Sequence, residues 1–250
     1  MSFCTQKKRT GNKDRLLAEA AAPCNIGHRF LSLGILMLTI RKLPNYPIWH
    51  VESDDRWDLA MTFLRIEEYY ESPNPLFQGK VFSLETYMDW YVREYSKTKK
   101  PYGAFTYASD WSAFNVPEVA VRAVCETFTG HSAKELWLFD ELTKQGAFHE
   151  DQFYLIGNKR GAKAYFEHEY RHALFALNRE YHNAMIEIIA CFPIAELRSW
   201  ILERYSKTVL LDEIQAYTLT GWPKGCAITE EMRVLQQLLK RIEQRHIPAA

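Results

Sequence analysis

The segment DQFYLIGNKRGAKAYFEHEYRHALFALN, residues 151–178, changes its hydrophobic period partway, and that change constrains the fold more than any other feature of the chain. DQFYLIG is short and β-favouring, and Gly157 closes it, which predicts a strand ending there. AKAYFEHEYRHALFAL then runs with a helical period. A strand placed just before a long helix, in a chain otherwise rich in helical patterns, predicts an α+β protein, mostly helical, with a small sheet next to this helix.

The remaining patterns supply the other helices. In DDRWDLAMTFLRIEEYYES, the spacing of Trp57, Met61, Leu64 and Glu68, with Leu59, Phe63 and Ile66 beside them, predicts an amphipathic helix started by the Asp pair and stopped by SPNP. Ser83 can cap a second helix, LETYMDWYVREY. KTKKPYGAFTYASDWSAFNVP reads as loop or short strand, and its Phe105, Tyr107, Trp111 and Phe114 read as core plugs, with substrate binding as the alternative. Helices are predicted after Pro117, from Ala133 to Leu142, from near Asn178, in IAELRSWILERY, in KTVLLDEIQAYTL and after Thr229. No internal repeat is present, so residues 1–27 read as a flexible leader and residues 28–250 as a single domain.

Composition removes several function classes. Thirty-one basic residues balance thirty-one acidic ones, so no global field recruits nucleic acid or an anionic membrane. The basic cluster QKKRTGNKDR reads as a solvated tail. The most apolar run, Phe30 to Ile40, is about half the roughly 20 residues needed to span a bilayer, and it joins the core instead. It also comes too late for a signal peptide, which places the protein in the cytoplasm. Cys4, Cys24, Cys125, Cys191 and Cys226 are odd in number and contain no C-x-x-C pair, so they read as reduced packing residues. The sequence leaves the oligomeric state undetermined.

Within the motif helix, His168 and His172 lie one turn apart on the same face, so both imidazoles can aim at one point. Glu169, about 100° round the helix, can reach a water held beside an ion at that point. H-E-Y-R-H thus satisfies H-E-x-x-H, a pattern that binds zinc. The small Ala173 and Ala176 are read as leaving room for the metal. Zinc needs one more protein ligand if a single position is to stay open to water. His182, Glu187, Asp212 and Glu213 are the candidates. In VLLDEIQAYTL an acidic pair interrupts an apolar helix face, an expensive arrangement unless a cation offsets it. Asp212 can serve instead as the acceptor that orients a ligating His.

These residues resemble the zincin metallopeptidases, specifically the gluzincin pattern of H-E-x-x-H on one helix and a Glu on a later one, over about residues 152–220. HEYRHALFALNREY together with DEIQAY is also similar to uncharacterised bacterial proteins of this type. The resemblance implies a zincin-like fold, Zn2+ held by His168, His172 and Glu213, Glu169 as general base, and a protein or peptide substrate. It departs from the metzincins, since Phe175 and Asn178 stand where their glycine and third His would be. It departs from thermolysin-like enzymes at Asp212, Ala216 and Tyr217. Tyr217 and His182 are candidate donors to a developing oxyanion. Two other readings stand beside the peptidase: a non-catalytic zincin-fold module that binds metal or regulates, and an all-helical interaction protein without metal.

Overall fold

The computed structural model describes residues 38–98, 102–203, 205 and 207–247. The expected leader, Cys4, Cys24 and the apolar run as far as residue 37 lie outside the described residues. The strand read from FYLIG is β4, Tyr154–Lys159, and it runs through Gly157 instead of ending there. Gly157 is required for another reason. A Cβ at this position would stand 2.5 Å from the ring of Phe63 on the helix packed across the strand, so the glycine sets how closely helix and sheet approach.

Three further strands complete a mixed sheet of order β1-β2-β4-β3. β1, Leu38–Lys42, and β2, Ile48–Ser53, form an antiparallel hairpin. LPNYP, which punctuates the sequence as a break, is its turn, with Asn45 in the left-handed region at φ 70°, a conformation asparagine tolerates. β2 pairs in parallel with β4, and the chain between them supplies the long crossover that parallel pairing demands. β3, Ala113–Pro117, comes from the aromatic segment and pairs antiparallel with β4 as the opposite edge. Within that segment Tyr107 and Phe114 are core residues, as expected.

The helix α1, Arg56–Glu71, is capped by Asp55, whose side chain accepts from the backbone N–H groups of Trp57 and Asp58. The expected apolar stripe is absent. Every residue from Leu59 to Glu68 is buried, whereas Trp57 is 44% exposed. The reason is position: α1 lies between the sheet on one side and α3 (Tyr107–Asp110), α4 (Glu118–Thr127) and α5 (Ala133–Lys144) on the other. Its polar residues therefore need buried partners. Arg65 makes a two-pronged ion pair with Glu135, Nε to Oε1 and Nη2 to Oε2 both at 2.6 Å. Glu135 also closes the capping box with Ser132 that starts α5. α2, Leu84–Trp90, is capped by Ser83 as expected and continues as a wider turn over Tyr91–Tyr95.

The H-E-x-x-H helix, α6, Lys163–Leu177, lies on the face of the sheet opposite α1, against β4 and β3. Ala173 has no exposure and packs with Ile48, Tyr154 and Ile156, so it admits close contact with the sheet and does not line the ligand point. Ala176 is exposed. Beyond α6 come α7 (Arg179–Ala190, capped by Asn178), α8 (Ala195–Leu202), α9 (Leu210–Thr220) and α10 (Glu230–His246, capped by Thr229). They share a second core that includes Leu174, Tyr181, Met185, Leu197, Ile214 and Leu235. No helix among the described residues is long and apolar enough to cross a membrane.

Candidate metal centre

α6 and α9 pack against each other, and their contact brings the separated sequence candidates together. His168 Nε2 and His172 Nε2 each lie 4.0 Å from Glu213 Oε2. The three ligand atoms all fall within 4.8 Å of one another, and no other group of three or more His, Cys, Asp or Glu residues converges in this way among the described residues. His172 Nε2 and Glu213 Oε2 are buried without a hydrogen-bond partner. An unpaired buried acceptor costs about 1–3 kcal/mol, and one cation at the shared point would satisfy both. Zinc holds N and O donors at about 2.0–2.2 Å, hence roughly 3.4 Å apart. The two 4.0 Å edges to Glu213 would shorten by about half an ångström to grip such an ion.

The second nitrogen of each imidazole fixes its tautomer. Thr220 Oγ1 donates to the carbonyl of Ala216 at 2.7 Å and so accepts from His168 Nδ1–H at 2.9 Å. The lone pair of His168 therefore sits on Nε2. His172 Nδ1 lies 2.9 Å from Asp212 Oδ1, which leaves Nε2 facing Glu213. Asp212 is in turn held by Gln215 Nε2 at 3.0 Å, and Gln215 Oε1 accepts from the Tyr181 hydroxyl at 3.0 Å. Carboxylate support of this kind fixes a ligating ring and raises its basicity.

Electrostatics distinguish the two histidines. Burial, with the nearby charges of His172 and Arg171, holds His168 well below the ordinary histidine range. Burial pushes His172 in the same direction, but the surrounding carboxylates of Asp212, Glu213 and Glu169 outweigh it and hold the ring well above that range. Burial likewise raises Glu213. The pocket thus favours positive charge at the point where the three donors meet.

Glu169 is aimed by the sheet. Asn115 Nδ2 on β3 donates to Glu169 Oε2 at 2.8 Å, and Asn115 Oδ1 accepts from the Tyr154 hydroxyl on β4 at 2.7 Å. Burial raises the Glu169 carboxyl to about 7, against a lowering by His172 and by the Asn115 hydrogen bond. A carboxyl titrating there can take up and release a proton near neutral pH.

A cavity of about 370 Å³ opens over these groups. Tyr217 lines it, with its ring 4.8 Å from that of His168 and its hydroxyl 2.9 Å from that of Tyr205. The other sequence candidates lie elsewhere. His182 Nδ1 is bonded to the carbonyl of Phe175 at 3.0 Å, Glu187 is exposed on α7, and Asp212 supports His172. β4 is paired on both sides, so a substrate strand cannot add to it. Trp111 from the aromatic segment lines the cavity, whereas Tyr107 and Phe114 do not. Of the described cysteines, Cys125 is buried packing, as expected, but Cys191 is exposed at the end of α7 and Cys226 is half-buried.

Sequence reasoning missed Asn115, Thr220, Tyr205 and the pair Glu67 and Glu71, which reach the cavity from α1. Glu67 carried a usable signal. Like Glu213, it lies in a run of buried residues on a helix, whereas Glu71, the half-buried last residue of α1, carried no such signal. The chain matches no family model, no curated protein and no solved structure.

Proposed function

We propose that the protein is a zinc-dependent metallopeptidase with a zincin-like arrangement, acting on a peptide or protein substrate. The observation that carries this reading is the convergence of His168 Nε2, His172 Nε2 and Glu213 Oε2, two of them buried without a partner, beside a carboxyl group positioned to move protons. His168, His172 and Glu213 would hold the ion. Bound there, zinc would lower the pKa of its water toward about 7 and polarise a substrate carbonyl.

The chain's own residues do the rest. Asn115 occupies Glu169 Oε2, which leaves Oε1 to accept the proton of the attacking water and return it to the leaving amine. Tyr217 and Tyr205, both on the cavity wall, are bonded hydroxyl to hydroxyl, and the one that accepts in that bond would donate its own proton to the charge developing on the carbonyl oxygen. Glu169→Gln separates holding the ion from using it. The variant should keep about one zinc per chain while hydrolysis of a mixed peptide library falls by 10² to 10⁴ or more, the usual worth of a general base. Full activity in this variant would rule the mechanism out. Zinc binding with no turnover by the unaltered chain would favour the non-catalytic module.

A further inference from the structure

A second cavity, of about 440 Å³, adjoins the metal cavity and shares Glu67, Glu71, Trp111 and Tyr205 with it. Its wall is aromatic. Tyr87, Trp90, Tyr91 and Tyr95, from α2 and the turn that continues it, join the two shared rings. They brace one another, with ring centroids 5.5 Å apart for Tyr87 and Trp90 and 4.7 Å apart for Tyr91 and Tyr95. Four carboxyl groups, Glu67, Glu68, Glu71 and Glu203, also line it. No lysine or arginine lines either cavity among the described residues.

Glu67 points to what the cavity binds. It is only 5% exposed, and its Oε2 is buried with no hydrogen-bond partner. Burial first, then the neighbouring carboxyl group of Glu71, one helical turn on, hold the Glu67 carboxyl group well above the ordinary range, so the pair keeps a proton that an entering cation would displace. An acceptor buried in this way asks for a donor, and an acidic setting asks for a charged one. A closed inorganic-cation site is not formed here, because no third His, Cys, Asp or Glu ligand atom joins Glu67 and Glu71 among the described residues. An apolar group does not fit either, since it would leave Glu67 Oε2 unsatisfied. A guanidinium or ammonium group meets both demands: it donates to the carboxylate and lies against aromatic faces, where cations are attracted by the ring quadrupole.

We propose that this second cavity is a recognition pocket for the cationic head of a basic side chain, lysine or arginine, carried by the substrate residue seated at the metal centre. The word substrate rests on the peptidase reading; the preference for an organic cation does not. The two cavities adjoin at Glu67, Glu71, Trp111 and Tyr205, so a long side chain would have to reach past these residues from the metal cavity into the aromatic one. A free amino terminus would bring the same cation without the long stem, and the test separates the two.

Calorimetric titration of the zinc-loaded full-length chain with Nα-acetyl-arginine amide, Nα-acetyl-lysine amide, Nα-acetyl-norleucine amide and alanine amide reads binding without turnover. The arginine and lysine amides should bind at least tenfold more tightly than the norleucine amide, which has the stem but no charge. Glu67→Gln should reduce that preference to threefold or less. Trp90→Leu, which leaves the carboxylates untouched, should weaken the charged ligands at least fivefold, with thermal unfolding used to confirm that both variants fold. Equal binding of the charged and norleucine amides, or no binding by any of them, overturns the proposal. Tighter binding of alanine amide than of the acetylated basic amides overturns it in favour of a chain-terminus site. Selective binding of the basic amides by a chain that cleaves no peptide upholds the pocket and defeats the peptidase reading. Peptide cleavage indifferent to a basic residue defeats the pocket alone.

Discussion

The finest details of the centre are proton positions. Thr220 spends its own proton on the carbonyl of Ala216 and thereby obliges His168 to present a bare Nε2. Asp212 accepts from His172 Nδ1 and so leaves Nε2 as the nitrogen whose proton a metal ion would displace. Asp212 and Glu213 are adjacent, yet α9 turns one toward the back of a histidine and the other toward its front. Their substitutions should therefore differ. Asp212→Asn keeps an acceptor but removes its charge, and zinc affinity should fall by about 10- to 100-fold, the usual loss when an outer partner is weakened. Competition with a chelator of known affinity measures this, and an unchanged affinity would show that Asp212 contributes nothing to the centre.

At the scale of elements, sequence pattern located most helices and explained their starts. Asp55, Ser83, Asn178 and Thr229 each cap the helix expected to follow them, because a short polar side chain satisfies the same free backbone donors wherever it occurs. The place of β2 in the sheet was not legible, since it pairs with β4, more than a hundred residues away in sequence. Trp57 was misplaced because periodicity assumes one solvated face, and α1 has none along its middle. Gly157 was read as a stop when its role is proximity. Gly157→Ala should destabilise the fold by about 1–3 kcal/mol, since the new methyl meets a fully buried ring. Adding Phe63→Leu should recover part of that loss even though Phe63→Leu alone is destabilising. Denaturant midpoints of the two single variants and the double variant check the sign of this coupling, and strict additivity would contradict it.

Across the whole molecule, two layers on opposite faces of one sheet meet at its β3 edge. α6 and α9 bring the histidines and Glu213, while α1, from the other face, brings Glu67 and Glu71. The first set was legible because H-E-x-x-H is a local pattern whose geometry a helix dictates, and because Glu213 breaks an apolar face that only a cation would relieve. The second set was hidden, as was Asn115, because nothing local ties α1 or β3 to α6. Their meeting depends on sheet order. On the proposed function, the meeting of α6 and α9 makes a metal site with three protein ligands. The most direct measurement is zinc content per chain, by elemental analysis after dialysis, for the unaltered protein and for His168→Ala, His172→Ala and Glu213→Ala. About one zinc is expected in the unaltered chain and near none in each variant, with lower thermal stability, because binding energy is partly folding energy. A folded, unaltered protein that retains no zinc after dialysis against a zinc-containing buffer, or a Glu213→Ala variant that keeps its zinc, would contradict this expectation.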